Sequence, residues 1–219
     1  KKTIRAIVDA APDGYLVPDK VQALLDAAGI VRAGEAVVTS AEEAVKAAEK
    51  LGYPVVMKVV GPVHKSDVGG VKLNVKDAAT VRAEFERMIQ IKDTTAILLQ
   101  PMLSGSELFV GGKRDERFGA MVLCGMGGIF IEVLKDVVAG LAPIATPEAL
   151  EMIAKLRSVK ILDGVRGQAP IPREKFAEVV SRLSVLMTVA PEIFEMDLNP
   201  LLGTEKGVVA VDARIRIAR

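Results

Sequence analysis

Six residues, Val55-Val56-Met57-Lys58-Val59-Val60, held between Pro54 and Gly61, constrain the fold more than any other stretch of this chain. A short β-branched run bounded by Pro and Gly reads as a buried strand. Its flanks differ in period. Thr39-Ser40-Ala41-Glu42-Glu43 opens a helix that ends at Gly52, with serine as cap and the acids at the positive end of the dipole. Beyond the strand come a loop, a second strand near Val71 to Val75, a helix from about Ala78 to Ile89 and a strand Ala96-Ile97-Leu98-Leu99-Gln100. An earlier helix begins near Pro18-Asp19, with Val21, Leu24, Leu25 and Ala28 at helical spacing, and stops at Gly29. The spacing predicts an α/β unit.

From Met102 onward the pattern shifts to hairpins, with strands near Glu107 to Gly111, Phe118 to Cys124 and Ile129 to Val133. Helices near Pro147 to Arg157 and Pro172 to Val189 precede a closing hairpin. The fold class is α/β with mixed sheets, and the natural cut lies near Gln100-Pro101, giving parts 1–100 and 101–219. No fixed-period repeat, low-complexity tract or long linker interrupts it.

Lys and Arg number 29 against 28 Asp and Glu, so no charge surplus makes nucleic acid or an anionic membrane a default partner. Long charge-free stretches such as Gly119 to Ile131 and Thr94 to Ser106 run to 13 residues, against roughly 20 for a bilayer span. No membrane helix and no signal peptide are expected, which makes the cytoplasm the default location. The absence of an initial methionine suggests trimming or excision from a longer chain. A single Cys124 and a single His64 exclude an intrachain disulfide and a structural zinc site, so a metal here would be a hard ion on oxygen.

His64 lies in Gly61-Pro62-Val63-His64-Lys65-Ser66-Asp67-Val68-Gly69-Gly70-Val71, between two strands. An imidazole beside lysine, serine and a glycine pair can act as a nucleophile toward phosphorus; the other reading is a surface histidine. Lys58 interrupts an apolar strand, where an unpaired ammonium is costly, so it should meet an anion. Alternation puts Val56, Lys58 and Val60 on one face, which also allows a solvent-facing lysine on an edge strand. A P-loop would need glycine where Val59 and His64 stand. Gly125-Met126-Gly127-Gly128 leads into Ile129-Phe130-Ile131-Glu132-Val133, read as a strand; this opposes a dinucleotide fingerprint and leaves a hairpin turn or a flap over polyphosphate.

Near the end, Glu195, Asp197 and Asn199 share one face of Phe194-Glu195-Met196-Asp197-Leu198-Asn199-Pro200-Leu201-Leu202. A turn over Gly203 to Gly207, centred between Thr204 and Glu205, would set Asp197 opposite Asp212 in Val208-Val209-Ala210-Val211-Asp212-Ala213. Opposed carboxylates call for a cation, and magnesium takes such oxygens while keeping positions for water and phosphate. A solvated acidic edge is the alternative.

Together, Lys58, the His64-to-Val71 loop, Leu99-Gln100-Pro101, the Gly125-to-Phe130 segment and Asp197-Leu198-Asn199-Pro200-Leu201 with Asp212 resemble the ATP-grasp module of ADP-forming acyl-CoA synthetases. Nearly the whole chain is covered, and the histidine loop favours the beta subunit of ADP-forming acetate-CoA ligase over that of succinate-CoA ligase. The resemblance implies an ATP-grasp fold whose two subdomains enclose a nucleotide cleft. It implies an acid-thiol ligase subunit passing phosphate between a partner's phosphohistidine and ADP or ATP, with His64 as relay. Lys58 would bind phosphate, Gln100 and Met102 would meet adenine, and Glu107 would lie near the nucleotide. Gly69, Gly70, Gly127 and Gly128 would offer backbone amides. Asp197, Asn199 and Asp212 would hold Mg2+, and Arg166, in Leu162-Asp163-Gly164-Val165-Arg166-Gly167, would lie near transferring phosphate or the partner interface. No acyl or CoA pocket is evident, so a CoA-binding alpha subunit or fused domain is implied, in an alpha2-beta2 assembly or its fused equivalent. Two other classes stay open: a regulatory ATP-sensing ATP-grasp domain, and a stand-alone carboxylate-amine ligase.

Overall fold

The structure, a computed structural model, describes residues 1–61, 69–165, 167 and 169–219, without the side chains of Ile129 and Glu132. The chain divides into two units, Lys1–Arg32 with Ser104–Arg219, and Ala33–Leu103. The first stretch carries α1 (Lys2–Ala10), β1 (Gly14–Tyr15) and α2 (Pro18–Ala28). The unit Ala33–Leu103 holds β2 (Ala36–Val38), α3 (Ala41–Leu51), β3 (Val55–Val60), β4 (Val71–Val75), α4 (Ala78–Met88) and β5 (Ala96–Pro101). The remainder supplies β6 (Ser106–Asp115), β7 (Gly119–Met126), α5 (Ile129–Glu132), β8 (Val137–Leu141), α6 (Thr146–Ala154), a 3-10 turn at Val159–Asp163, α7 (Arg173–Val189), β9 (Ile193–Thr204), β10 (Gly207–Ala210) and β11 (Ala213–Ile217). None of the described helices is long and apolar enough to cross a membrane.

In the smaller unit the described strands form an antiparallel sheet in the order β2-β5-β3-β4. Val55, Met57 and Val59 of β3 are fully buried and share one core with Ile97 and Leu99 of β5, Ala44 and Ala48 of α3, and Val81, Phe85 and Met88 of α4. Period-two alternation thus puts Lys58 on the sheet face away from these helices. Both helices start at side-chain caps. Ser40 Oγ accepts from the Glu43 amide at 3.2 Å while Glu43 reaches back to the Thr39 amide at 3.0 Å. Asp77 accepts from the Thr80 amide at 2.7 Å, satisfying an amide that the helix cannot.

The larger unit is built on a sheet whose described strands run β1-β11-β9-β6-β7-β8, with β10 folded back on β9. Val110, Val122, Cys124, Met196, Leu198, Ile215 and Ile217 fill its inner face against Phe176, Val180, Leu183 and Met187 of α7. Gly112 permits that approach, since a Cβ there would lie 2.4 Å from Met187 Sδ. The same core takes in Ile4 and Val8 of α1 and Leu24 and Leu25 of α2. Residues 1–32, grouped by sequence with the part ending at residue 100, therefore pack with Ser104–Arg219, tied in by β1 pairing with β11 at Gly14 to Ile217 and Tyr15 to Arg216. Proximity along the chain misled because the strand that receives β1 lies at the opposite end of the sequence.

Candidate functional site

Lys58 stands on an internal strand, between Val71 of β4 and Leu98 of β5, so the edge-strand reading falls. Its side chain is half-buried. His64 lies outside the described residues, but both ends of its loop are fixed. At the near end Gly61, with φ +126°, sits where a Cβ would be 2.0 Å from the Asp93 carbonyl oxygen, so no other residue fits. At the far end Gly69 has φ +68° and its carbonyl accepts from Arg87 Nη2 at 3.1 Å, while the Val59 amide donates to the Gly70 carbonyl at 2.8 Å. Gln100, 3% exposed, donates from Nε2 to Glu35 at 2.7 Å, a partner the sequence reading missed because 65 residues separate them. Met102 is 41% exposed, its amide held by the Pro54 carbonyl at 2.9 Å.

In the larger unit Glu107 opens β6 and meets the glycine segment directly. The Gly127 amide donates to the Glu107 carbonyl at 2.8 Å, and a Cβ on Gly128 would fall 2.8 Å from Glu107 Oε2. Bare glycines therefore leave the space the carboxylate occupies. A cavity of about 330 Å³ opens here, lined by Glu107, Gly127, Gly128, Phe130, Ile161 and Val165 among others. The segment after the glycines is a helical turn, α5, and not the expected strand. The edge of β7 is taken instead by β8, pairing Gly125 to Met121 with Val137 to Leu141. Gly128, with φ +57°, turns the chain into it. Asp136, 6% exposed, then joins this turn to the other cavity wall by accepting from the amides of Arg157 at 3.0 Å and Ser158 at 2.8 Å, and from the Ser158 hydroxyl. Burial opposes its charge, yet those hydrogen bonds outweigh burial and hold its carboxyl below the usual range. Arg166 lies outside the described residues.

The closing hairpin differs in register from the sequence expectation. Gly207 pairs with Thr204, so the turn is Glu205-Lys206 and Asp197 faces Arg214 of β11, not Asp212. Gly203 is a strand residue: a Cβ there would lie 2.8 Å from Ile171 Cδ1, so packing and not turning requires glycine. The shift brings Asn199 level with Asp212, whose carbonyl accepts from the Asn199 amide at 3.1 Å. Asp212 Oδ1 accepts from the Ala213 amide at 2.9 Å, orienting the carboxylate. Burial raises the Asp197 carboxyl above its ordinary range; Arg214 works against that, and Asp212 and Glu195 reinforce it. No group of three or more His, Cys, Asp or Glu residues suited to a metal occurs among the described residues. An amide and a carboxylate beside a second carboxylate nonetheless fit a hard ion that keeps most positions for water and phosphate.

A family model described as an ATP-grasp domain matches residues 8–217. The beta subunit of ADP-forming acetate-CoA ligase I from Pyrococcus furiosus is 40% identical over 210 residues, covering 91% of this chain and 90% of that subunit. ADP-forming acetate-CoA ligase I of Archaeoglobus fulgidus is 44% identical over 201 residues, 88% of this chain but 29% of the longer protein. Among solved structures, acetyl-coenzyme A synthetase 1 of Candidatus Korarchaeum cryptofilum, with coenzyme A, Mg-AMPPCP and a phosphohistidine segment pointing towards its nucleotide site, superposes with TM-score 0.86 at 34% identity, over 98% of this chain and 100% of that one.

Proposed function

The chain belongs to the ATP-grasp family, among the beta subunits of ADP-forming acetate-CoA ligases, and from that membership we propose that it is the nucleotide-side half of an ADP-forming acyl-CoA synthetase. It moves a phosphoryl group between a phosphohistidine on a CoA-binding alpha chain or fused domain and ADP or ATP, in an alpha2-beta2 assembly or its fused equivalent. The observation that carries this reading is the hairpin register that sets the Asn199 side of β9 beside Asp212.

Phosphoryl transfer asks a protein to position its reactants and compensate charge. Lys58 supplies a fixed cation to the phosphates, and Gln100 and Met102 contact the base. Gly69, Gly70, Gly127 and Gly128 let backbone amides approach phosphate oxygens, and Glu107 orients the nucleotide beside the glycines. Asn199 and Asp212, with Asp197, would hold Mg2+, which when bound offsets the negative charge of the phosphates. His64 takes the phosphoryl group in transit, and Arg166 meets that group or the partner surface.

The test is to incubate the chain with its CoA-binding partner and Mg-ATP labelled on the γ-phosphate, then map acid-labile label. Label on His64, with His64→Ala slowing turnover by on the order of 100-fold or more, is the expected result. Full turnover by His64→Ala would remove the relay.

A further inference from the structure

Two adjacent rows on the outer face of the larger sheet carry the same chemistry in opposite states. In one, Glu195 lies between Lys113 of β6 and Arg216 of β11. That row is closed: Tyr15 donates to Glu195 at 3.1 Å, Arg216 Nη1 stands 3.6 Å from the same carboxylate, and the Phe194 ring takes Arg216 at 5.2 Å and Lys113 at 5.8 Å. In the next row Asp197 lies between Gly111 and Arg214. Among the described residues the Arg214 guanidinium makes no hydrogen bond and no ion pair, although a carboxylate stands directly across the strands. Opposite charges at such positions ordinarily close up. On the far flank, a Cβ on Gly111 would lie 2.7 Å from Phe109 Cζ, so an aromatic ring and not a second cation borders Asp197. Arg214 is also two residues beyond Asp212 and exposed. An open guanidinium fork next to an oxygen set for a divalent cation has the geometry to take an anion that bridges the two.

We propose that Arg214 binds the non-bridging oxygens of the phosphoryl group in transit, its fork left open for that purpose. The inference rests on the phosphoryl-transfer reading given above. In the step it serves, the P–N bond to an imidazole breaks and a P–O bond to the terminal oxygen of ADP forms. The electron pair stays on the imidazole nitrogen, which takes a proton from solvent. Arg214 compensates the charge on the oxygens that neither bond uses, a role that favours the transferring group over bound nucleotide.

The test compares Arg214→Gln, Arg214→Lys and Arg216→Gln, each assembled with the partner chain. Arg214→Gln should slow phosphoryl transfer by about 100-fold with KM for nucleotide nearly unchanged, and Arg214→Lys should recover part of the rate. Without metal, in EDTA, inorganic phosphate should raise the Tm of the wild type and not of Arg214→Gln. Arg216→Gln, which opens the closed row, should lower Tm and leave transfer per folded molecule intact. Wild-type transfer rates in Arg214→Gln, or a Tm loss in it equal to that of Arg216→Gln, would overturn the proposal while leaving the family reading standing. Absence of any transfer by the wild type with its partner would overturn that reading and this inference with it.

Discussion

Arg5 of α1 grips Glu192, just ahead of β9, with two hydrogen bonds of 2.7 and 2.8 Å. This fork holds the Glu192 carboxyl down at about 2, against an ordinary 4.5. A depressed folded-state value means that the pair stabilises the protein fully above the unfolded value and loses that contribution as pH falls through the folded one. The stability difference between wild type and Glu192→Gln should therefore be constant above about pH 5 and shrink toward zero between pH 4.5 and 2. Urea titrations at stepped pH measure it, and a difference independent of pH would dismiss the pair. No sequence signal announces this contact, since 187 positions separate the partners. Residues whose meaning lies in their neighbours were legible: Lys58 within its apolar run, and Ser40 ahead of its helix. The register around Asp212 was misjudged, by one residue in the centre of a turn.

At the scale of elements, Asp136 is the strut between α5 and the 3-10 turn that carries Ile161. Replacing it by Asn puts an amide donor where the Arg157 and Ser158 amides need acceptors. Asp136→Asn should cost roughly 1–3 kcal/mol, read as a lower urea midpoint at unchanged slope. No shift in midpoint would show that the strut carries nothing. Elements with strong local signals were legible, namely α2, α3, β3, α4, β5 and α7, because caps, breakers and apolar period agree there. Two were not. Ile129–Glu132 reads as strand by residue type and folds as a helical turn while β8 takes the edge of β7; competition for a sheet edge is a tertiary fact. The short α1 has no side-chain cap and was invisible for that reason.

For the whole molecule, the border at Leu103/Ser104 falls within a few residues of the cut read at Gln100-Pro101, where a Pro closes a strand. What the sequence could not disclose is that the chain leaves one unit at Arg32 and returns to it. Val31 and Arg32 are themselves tied to β10, the Ala210 amide donating to the Val31 carbonyl at 2.9 Å. This discontinuity has a consequence for a chain made from one end. The described strands of Ala33–Leu103 have their partners within that unit by the time Leu103 has left the ribosome, whereas β1 must wait for β11, far later in the chain. Domains tend to fold as units during synthesis. Nascent chains stalled beyond residue 140 should show protease protection over Ala33–Leu103 while residues 1–32 are still cut, and protection of both together would refute that order. The inserted unit would then be finished while the residues just ahead of it, already made, still wait for their place.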